Sequence, residues 1–205
     1  MRLTKYGHAC VRLEAEGRSL VIDPGIYTEP ESLSGVAAVL VTHEHDDHID
    51  TDKLVAARAA NPGLTVHAPA DVAAALGDWA TPVAAGDTIS AGGFTVRVVG
   101  GRHADIVDEL PGCANVGFVV EGVYHPGDSL FVPDEPVETL LVPVAGPWLH
   151  LGLAVEFTRA VKPGRAFAIH DATVNERGFE NVDWWLGNHS GAPYTRLLPG
   201  ASADL

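Results

Sequence analysis

The sequence predicts a layered α/β protein whose strands end in polar loops. Three observations support this fold class. Short strand patterns follow one another at the start of the chain, and later strand patterns alternate with helical ones. Twenty-two Gly and 14 Pro residues provide the many turns that a sheet-rich fold needs. The apolar run 36–42 also leads directly into the densest cluster of His and Asp, as in sheets that build a site beyond their strand ends.

Residues 3–42 begin with three short strand patterns and end with a longer apolar run. Strands are predicted at 3–6, 10–14, 19–22 and 36–42. Residues 10–14 place Val11 and Leu13 on one face, which is the period of a half-buried strand. Asp23-Pro24-Gly25 gives a turn signal after the third strand. The fourth run is continuously apolar, which is typical of a strand buried on both faces.

Residues 50–99 alternate between helical and extended patterns. Helices are predicted at 52–60 and 70–76, and strands at 65–68, 88–89 and 94–99. Asp50 or Thr51 can cap the first helix, and Asn61-Pro62-Gly63 ends it. Gly77 ends the second helix.

The remaining residues continue the alternation. Strands are predicted at 117–121, 123–125, 139–144, 165–169 and 194–197, and helices at 149–161 and within 175–186. Gly122 separates the first two strands, and Lys162-Pro163-Gly164 ends the helix at 149–161. No linker composition divides the chain, so we expect one domain over residues 1–205.

The charge and cysteine content limit the binding partners and the cellular location that we expect for this protein. A net charge of -14 repels phosphate backbones and anionic membranes, so we expect no nucleic-acid or membrane partner. Cys10 and Cys113 are too few for a disulfide framework. Residues 1–10 have no signal-peptide core, and no apolar run reaches the roughly 18 residues that span a bilayer. We therefore expect a cytoplasmic protein.

The densest group of metal-ligating residue types directly follows the apolar run 36–42. His43 and His45 lie two residues apart, so an extended backbone points both imidazoles the same way. Asp47 and His48 follow where the chain turns, and they can face a second ion about 3.5–4 Å from the first. Imidazole and carboxylate suit Zn²⁺, with Mn²⁺ or iron as alternatives. A solvated surface loop does not require His at this spacing, so we predict a metal site.

Three further candidates also follow predicted strands. His103 comes after strand 94–99, Asp128 after strand 123–125, and His170 after strand 165–169. Loops beyond strand ends are where open α/β sheets build their sites. A single His at a strand end is usually an ordinary core or surface residue, so these three gain weight only together with the cluster at 43–48.

The segment His43-x-His45-x-Asp47-His48 resembles the HxHxDH signature of the metallo-β-lactamase superfamily. His103 is similar to the third His of that family and His170 to its last. Asp128, in Gly127-Asp128-Ser129, is similar to the element with the bridging carboxylate. The order holds over about residues 3–172. The resemblance implies a four-layer αββα sandwich.

The opening of the chain resembles one branch of that superfamily. Tyr6-Gly7-His8-Ala9, followed by residues 20–24, is similar to the small UlaG-like branch of metal-dependent hydrolases, named for an ascorbate-phosphate lactonase. Asp171 directly after His170 departs from the common continuation, which leaves the substrate open.

Carried over residue by residue, the resemblance implies two divalent metal ions, with zinc the first choice. His43, His45 and His103 would hold one ion, and Asp47, His48 and His170 would hold the other. Asp128 would bridge them, and Asp47 would also orient the attacking hydroxide, so both are candidate catalytic residues. A Glu at position 45 would indicate the di-iron redox branch, so His45 favours hydrolysis. We expect a hydrolase that acts on a small ester, lactone, amide or phosphoester.

Other functions stay open at this point. A nuclease or phosphodiesterase of the same superfamily would need a basic groove, which 13 Lys and Arg against 27 acids do not favour. An iron-dependent redox protein and a non-catalytic metal-binding protein are further alternatives. Asp23 and His8 are candidates to orient the ligand imidazoles, or are simply a turn cap and a strand-end His. Trp148 and His150 are candidates for a pocket wall, or for core packing and a helix start.

Overall fold

Two seven-stranded sheets face each other in the computed structural model, which describes residues 1–107 and 112–205. The first sheet contains β1 (Arg2–Gly7), β2 (Cys10–Ala15), β3 (Arg18–Ile22), β4 (Ala38–Leu40), β5 (Thr65–Ala68), β6 (Ala80–Pro82) and β14 (Ser202–Asp204). Its strand order is β14-β1-β2-β3-β4-β5-β6. The strands from β14 to β3 are antiparallel, and those from β3 to β6 are parallel.

The second sheet repeats this arrangement. It contains β7 (Thr88–Ala91), β8 (Phe94–Gly100), β9 (Val116–Val120), β10 (Val123–His125), β11 (Thr139–Pro143), β12 (Arg165–Ile169) and β13 (Tyr194–Thr195). Its order is β13-β12-β11-β10-β9-β8-β7. The strands from β7 to β10 are antiparallel, and those from β10 to β13 are parallel.

Helices cover the outer face of each sheet. They are α1 (Thr51–Ala60), α2 (Ala70–Leu76), α3 (Leu151–Val161) and α4 (Glu176–His189), and a short 3₁₀ helix spans Pro30–Leu33. The Asp50 side chain caps α1 by accepting the Lys53 N–H, and Asn175 caps α4 by accepting the Gly178 N–H. Among the described residues, no helix combines the length and the apolar character that crossing a bilayer requires.

Three apolar layers hold these elements together. Leu40, Phe94 and Ile169 belong to the layer between the two sheets. Val39 packs with Leu54 of α1 outside the first sheet. A third cluster, outside the second sheet, contains side chains of α3 and α4. Helix, sheet, sheet and helix therefore form four layers, which confirms the predicted αββα sandwich.

The apolar run 36–42 is the main difference from the predicted elements. Regular strand geometry covers only Ala38–Leu40 of this run. The Val41 N–H still donates to His67 O at 2.9 Å, so the hydrogen bonding of the ladder extends one residue further. At Thr42 the backbone N–H donates to the Asp23 side chain instead of to a neighbouring strand.

Candidate metal centre

Residues 41–49 leave the first sheet at the carboxyl end of β4. The Thr42 N–H donates to Asp23 Oδ1 at 2.8 Å, and the Thr42 hydroxyl donates to Asp23 Oδ2 at 2.7 Å. The backbone then turns at His45, whose carbonyl accepts the His48 N–H at 2.9 Å. This turn brings the His48 ring back over Asp23.

Gly25 allows the loop after β3 to lie directly against this turn. A Cβ atom at Gly25 would lie 2.0 Å from the backbone oxygen of Asp47, a distance at which no side chain fits. Any other residue would therefore push the loop away from Asp47. The Asp23-Pro24-Gly25 sequence thus fixes the position of the motif as well as forming a turn.

Four predicted ligands form the first group. One ligand atom from each of its members lies within 4.8 Å of the others, and the members are His43, His45, His103 and Asp128. His43 Nε2 lies 3.1 Å from His45 Nδ1, and His103 Nε2 lies 3.3 Å from Asp128 Oδ2. The Nδ1–H groups of His43 and His103 point to other acceptors, Thr42 Oγ1 at 3.0 Å and Ala104 O at 2.5 Å. Their Nε2 lone pairs therefore face the shared space.

The second group lies on the other side of Asp128. Its members are His8, Asp47, His48 and His170. His48 Nδ1–H donates to Asp23 Oδ2 at 2.7 Å, which leaves its Nε2 3.1 Å from Asp128 Oδ1. His170 Nε2 lies 3.0 Å from Asp128 Oδ2 and 3.4 Å from Asp47 Oδ2.

Asp128 separates the two groups and is held from three directions. The Asp128 N–H donates to Asn115 Oδ1 at 3.0 Å, and Asn115 Nδ2 donates to Pro126 O at 2.9 Å. The preceding Gly127 has a φ of 61°, and a Cβ there would lie 2.4 Å from Asn115 Oδ1. The Trp148 indole N–H donates to Asp128 Oδ2 at 2.9 Å. The carboxylate therefore has one fixed orientation between the groups.

The donor set fits divalent cations. Among the described residues, and besides His170 Nδ1, four buried ligand atoms in these two groups have no hydrogen-bond partner: His48 Nε2, His103 Nε2, His170 Nε2 and Asp128 Oδ1. Burying polar atoms without partners is unfavourable, by about 1–3 kcal/mol for each group. Cations bound between imidazole nitrogens and carboxylate oxygens would satisfy these atoms together, and this mixture of donors suits zinc-like ions.

The electrostatics of the site keep its carboxylates ionised. Burial opposes this, but the imidazoles of His103, His170 and His48, which lie close to its oxygens, hold the pKa of Asp128 well below its usual range. Burial also opposes a charged His48, yet the Asp23 and Asp128 carboxylates raise its pKa to about 10, so a cation that binds here would replace the proton on His48 Nε2. Burial lowers the pKa of His43, and the neighbouring His48 adds to this effect. The negative charge of Asp128 is thus available to a cation.

The structure brings all seven predicted residues into these two groups, in the division that the resemblance implies. Their role as metal ligands stays a prediction. His8 also joins the second group, Asp23 lies against His48, and Trp148 lies against Asp128. His150 is exposed at the start of α3 and outside both groups, so the helix-start interpretation fits it. Asn115 was not predicted, because nothing in its neighbouring sequence indicates a site.

Comparisons with known proteins show which family the chain is similar to. A family model described as the beta-lactamase superfamily domain matches residues 2–170. A Mycobacterium tuberculosis protein is 40% identical over 181 residues, which cover 85% of each chain. A Carboxydothermus hydrogenoformans protein named UPF0173 metal-dependent hydrolase is 26% identical over 193 residues, covering 83% of this chain and 84% of its own.

A solved structure extends the comparison to the fold. Igni18, described as a novel metallo hydrolase from Ignicoccus hospitalis, superposes with a TM-score of 0.77 at 20% identity. The match covers 98% of this chain and 97% of that one. At this identity, the similarity is one of fold.

Proposed function

The chain belongs to the metallo-β-lactamase superfamily, and from this membership we propose that it is a metal-dependent hydrolase with two divalent cations. The name of the Carboxydothermus hydrogenoformans relative supports this class of activity. The observation that carries the proposal is the convergence of unpartnered buried nitrogen and oxygen atoms between two sets of imidazoles.

Each cation would have its own set of ligands around the shared Asp128. His43, His45 and His103 would hold the first cation, and Asp47, His48 and His170 the second. We propose zinc for both, because imidazole is the dominant donor and five imidazoles take part. Mn²⁺ or iron would accept the same donor types.

Two carboxylates would share the catalytic work. Bound divalent cations supply an activated water at neutral pH and polarise a carbonyl or phosphoryl oxygen. The side chain of Asp128 is only 4% exposed, so it holds its position and bridges the two ligand sets. The Asp47 side chain is 27% exposed and therefore reaches solvent, where it can orient the attacking water.

We propose a small ester, lactone, amide or phosphoester as the substrate class. Hydrolysis of each needs polarisation of one oxygen and attack by an oriented water, which are the functions assigned to this site. The net charge of -14 disfavours approach of a polyanion such as nucleic acid. A small-molecule substrate is consistent with this charge.

The experiment compares the full chain with its Asp128→Ala variant on a panel of these four substrate classes, with Zn²⁺ or Mn²⁺ added. Metal content is measured in parallel by elemental analysis. We expect the variant to lose metal and at least about 100-fold in activity, because one carboxylate serves both ligand sets. The His189→Ala variant, on α4, is the control, and it should change neither the metal content nor the activity. An Asp128→Ala variant with full metal content and full activity would refute the proposal.

A further inference from the structure

His8 meets the distance criteria of a metal ligand. Its Nε2 lies 3.0 Å from Asp47 Oδ2, and it shares the second group with Asp47, His48 and His170. The residue is 2% exposed and lies directly after β1. Distance alone would therefore make it a fifth protein ligand of the second cation, besides Asp47, His48, His170 and the shared Asp128.

The contact made by the other ring nitrogen of His8, Nδ1, shows whether Nε2 is free to bind a metal or donates a hydrogen bond. His8 Nδ1 accepts the backbone N–H of Ala172 at 3.1 Å, so Nδ1 carries no proton. A neutral imidazole then has its single proton on Nε2. Rotating the ring by 180° would put carbon atoms at both contacts, so the observed orientation is the one that makes both hydrogen bonds.

We infer that His8 is a positioning residue that holds Asp47 by donating an Nε2–H hydrogen bond, and not a ligand of the second cation. A protonated Nε2 has no lone pair to offer a metal ion. The inference deepens the proposed function and rests on its two-cation site. It leaves Asp47, His48, His170 and the shared Asp128 as the protein donors of the second cation.

His8 also fixes the backbone that carries His170. The His170 N–H donates to His8 O at 3.1 Å, and Ala172, two residues later, donates to the His8 ring. His8 and His170 both have left-handed backbone conformations, with φ of 51° and 57°. Such conformations are unfavourable for residues other than Gly and persist where the surroundings fix them. One residue therefore connects a ligand from the first half of the chain with one from the second.

Two substitutions separate the hydrogen bonds of the His8 ring. In His8→Gln the amide Nε2 reaches the position of the imidazole Nε2 and can still donate to Asp47. In His8→Asn the side-chain oxygen replaces Nδ1 as the acceptor for Ala172, but no donor reaches Asp47. We expect His8→Gln to keep zinc affinity at the second site within about threefold, and His8→Asn to lose about 10- to 100-fold. Zinc affinity measured by competition with a chromogenic chelator tests this difference.

The decisive readout is the tautomer of His8, from two-bond ¹H–¹⁵N correlation spectra of the full chain without zinc and with zinc. His8 should show a bare Nδ1 and a protonated Nε2 in both samples. His125 is an internal reference, because its Nε2 donates to Ala9 O at 2.8 Å and its Nδ1 accepts the Gly127 N–H at 3.1 Å. A His8 that carries its proton on Nδ1 and binds zinc through Nε2 would overturn the inference.

The two proposals fail in different ways. Uptake of zinc, manganese or iron by the unmodified chain tests the proposed function, because a protein that takes up none of these metals has no two-cation site. The metal-free spectrum tests the His8 hydrogen bonds independently of that result. Equal losses of zinc affinity in His8→Gln and His8→Asn, together with a zinc-shifted His8 Nε2 resonance, would overturn the positioning role while leaving the metal site in place.

Discussion

The Trp148 indole N–H donates a hydrogen bond to Asp128 Oδ2 at 2.9 Å. The same oxygen lies 3.3 Å from His103 Nε2 and 3.0 Å from His170 Nε2, so the indole approaches the carboxylate where the two ligand groups meet. The indole ring centroid is 6.0 Å from those of His103 and His170. Trp148 thus orients the carboxylate that lies between the two candidate ligand groups.

Replacing Trp148 with Phe should weaken metal binding. The substitution keeps a large ring at a buried position but removes the donor to Asp128. Hydrogen bonds that orient metal-ligating groups typically contribute 10- to 100-fold in affinity, so we expect a loss in zinc affinity of about that size. Competition titration with a chelator provides the measurement.

A fluorescence readout distinguishes this role from packing alone. The chain has four Trp, and Trp148 is the one that touches Asp128, so zinc should change the emission of the unmodified chain and not that of Trp148→Phe. Trp184→Phe is the matched control, because Trp184 is 53% exposed on α4. Unchanged zinc affinity in Trp148→Phe would contradict the assigned role.

Asp23→Asn should disturb both folding and metal binding. Asp23 accepts two hydrogen bonds from Thr42 and one from His48 Nδ1, and an amide replaces one of these acceptor oxygens with a donor. A buried group left without its partner costs about 1–3 kcal/mol of unfolding free energy. Zinc affinity should fall in addition, because the His48 ring loses its orientation.

Urea unfolding of the metal-free protein and chelator competition measure the two effects of Asp23→Asn. The same chemical change at the exposed Asp134 is the control, and it should be nearly neutral. An Asp23→Asn protein as stable as the Asp134→Asn protein would show that the Asp23 network contributes little.

The sequence predicted the candidate metal ligands more fully than the residues that hold those ligands in place. Four predicted ligands lie within residues 43–48, so their spacing in the sequence already places them close to one another. The contacts of His8 with Ala172 and of Trp148 with Asp128 depend on loops from distant segments, and no spacing in the sequence encodes them. The candidate roles of these residues therefore needed coordinates.

The same holds for the fold: elements with strong local sequence patterns were predicted, and strands that depend on pairing with distant segments were not. The buried strand β12 and the helix α2 have the predicted limits, since apolar pattern and end signals act locally. The edge strands β6 and β14 were not predicted. β6 is three residues long and contains Pro82, and β14 pairs with β1 through residues about 200 positions away. Their extended form depends on the neighbouring strand rather than on their own sequence.

A buried ion pair beside the site should contribute strongly to stability. Lys5 is 1% exposed, and its ammonium contacts the Asp171 carboxylate and donates to Ala168 O at 3.1 Å. Lys5→Met would leave Asp171 buried without its partner, and we expect a loss of about 3–5 kcal/mol in unfolding free energy. Adding Asp171→Leu should recover part of this loss, because it removes the isolated charge.

Urea unfolding at pH 7 compares the single and double variants at Lys5 and Asp171. The exposed pair Arg102 and Asp105 provides a control, since exposed pairs contribute about 0–1 kcal/mol. This account of the pair would be contradicted if the double variant lost more unfolding free energy than the two single variants lose when their losses are added.

The two cysteines should differ in reactivity. Cys10 is fully buried, and burial raises the pKa of its thiol to about 12, so almost no thiolate exists at pH 8. Cys113 is half-buried, and its Sγ lies 4.0 Å from His45 Nε2. Iodoacetamide at pH 8 should label Cys113 in the folded protein and Cys10 only after unfolding, as mass spectrometry of peptides would detect. Cys113→Ser should remove the labelling of the folded chain, whereas equal labelling of both thiols would contradict the burial of Cys10.

Zinc should stabilise the folded protein as well as activate it. The unpartnered ligand atoms come from loops that follow β4, β8, β10 and β12, so bound cations would tie the two sheets together at this edge. The unfolded chain holds no such arrangement, and binding to the folded state alone adds about 2.7 kcal/mol when free zinc is 100 times its dissociation constant. Denaturant titrations of chelator-treated protein at increasing free zinc should therefore shift to higher midpoints. Mg²⁺ is the control, because it favours oxygen ligands over imidazole. A midpoint that Mg²⁺ raises as much as Zn²⁺ would point to general screening of the negative charge rather than to coordination by the histidines.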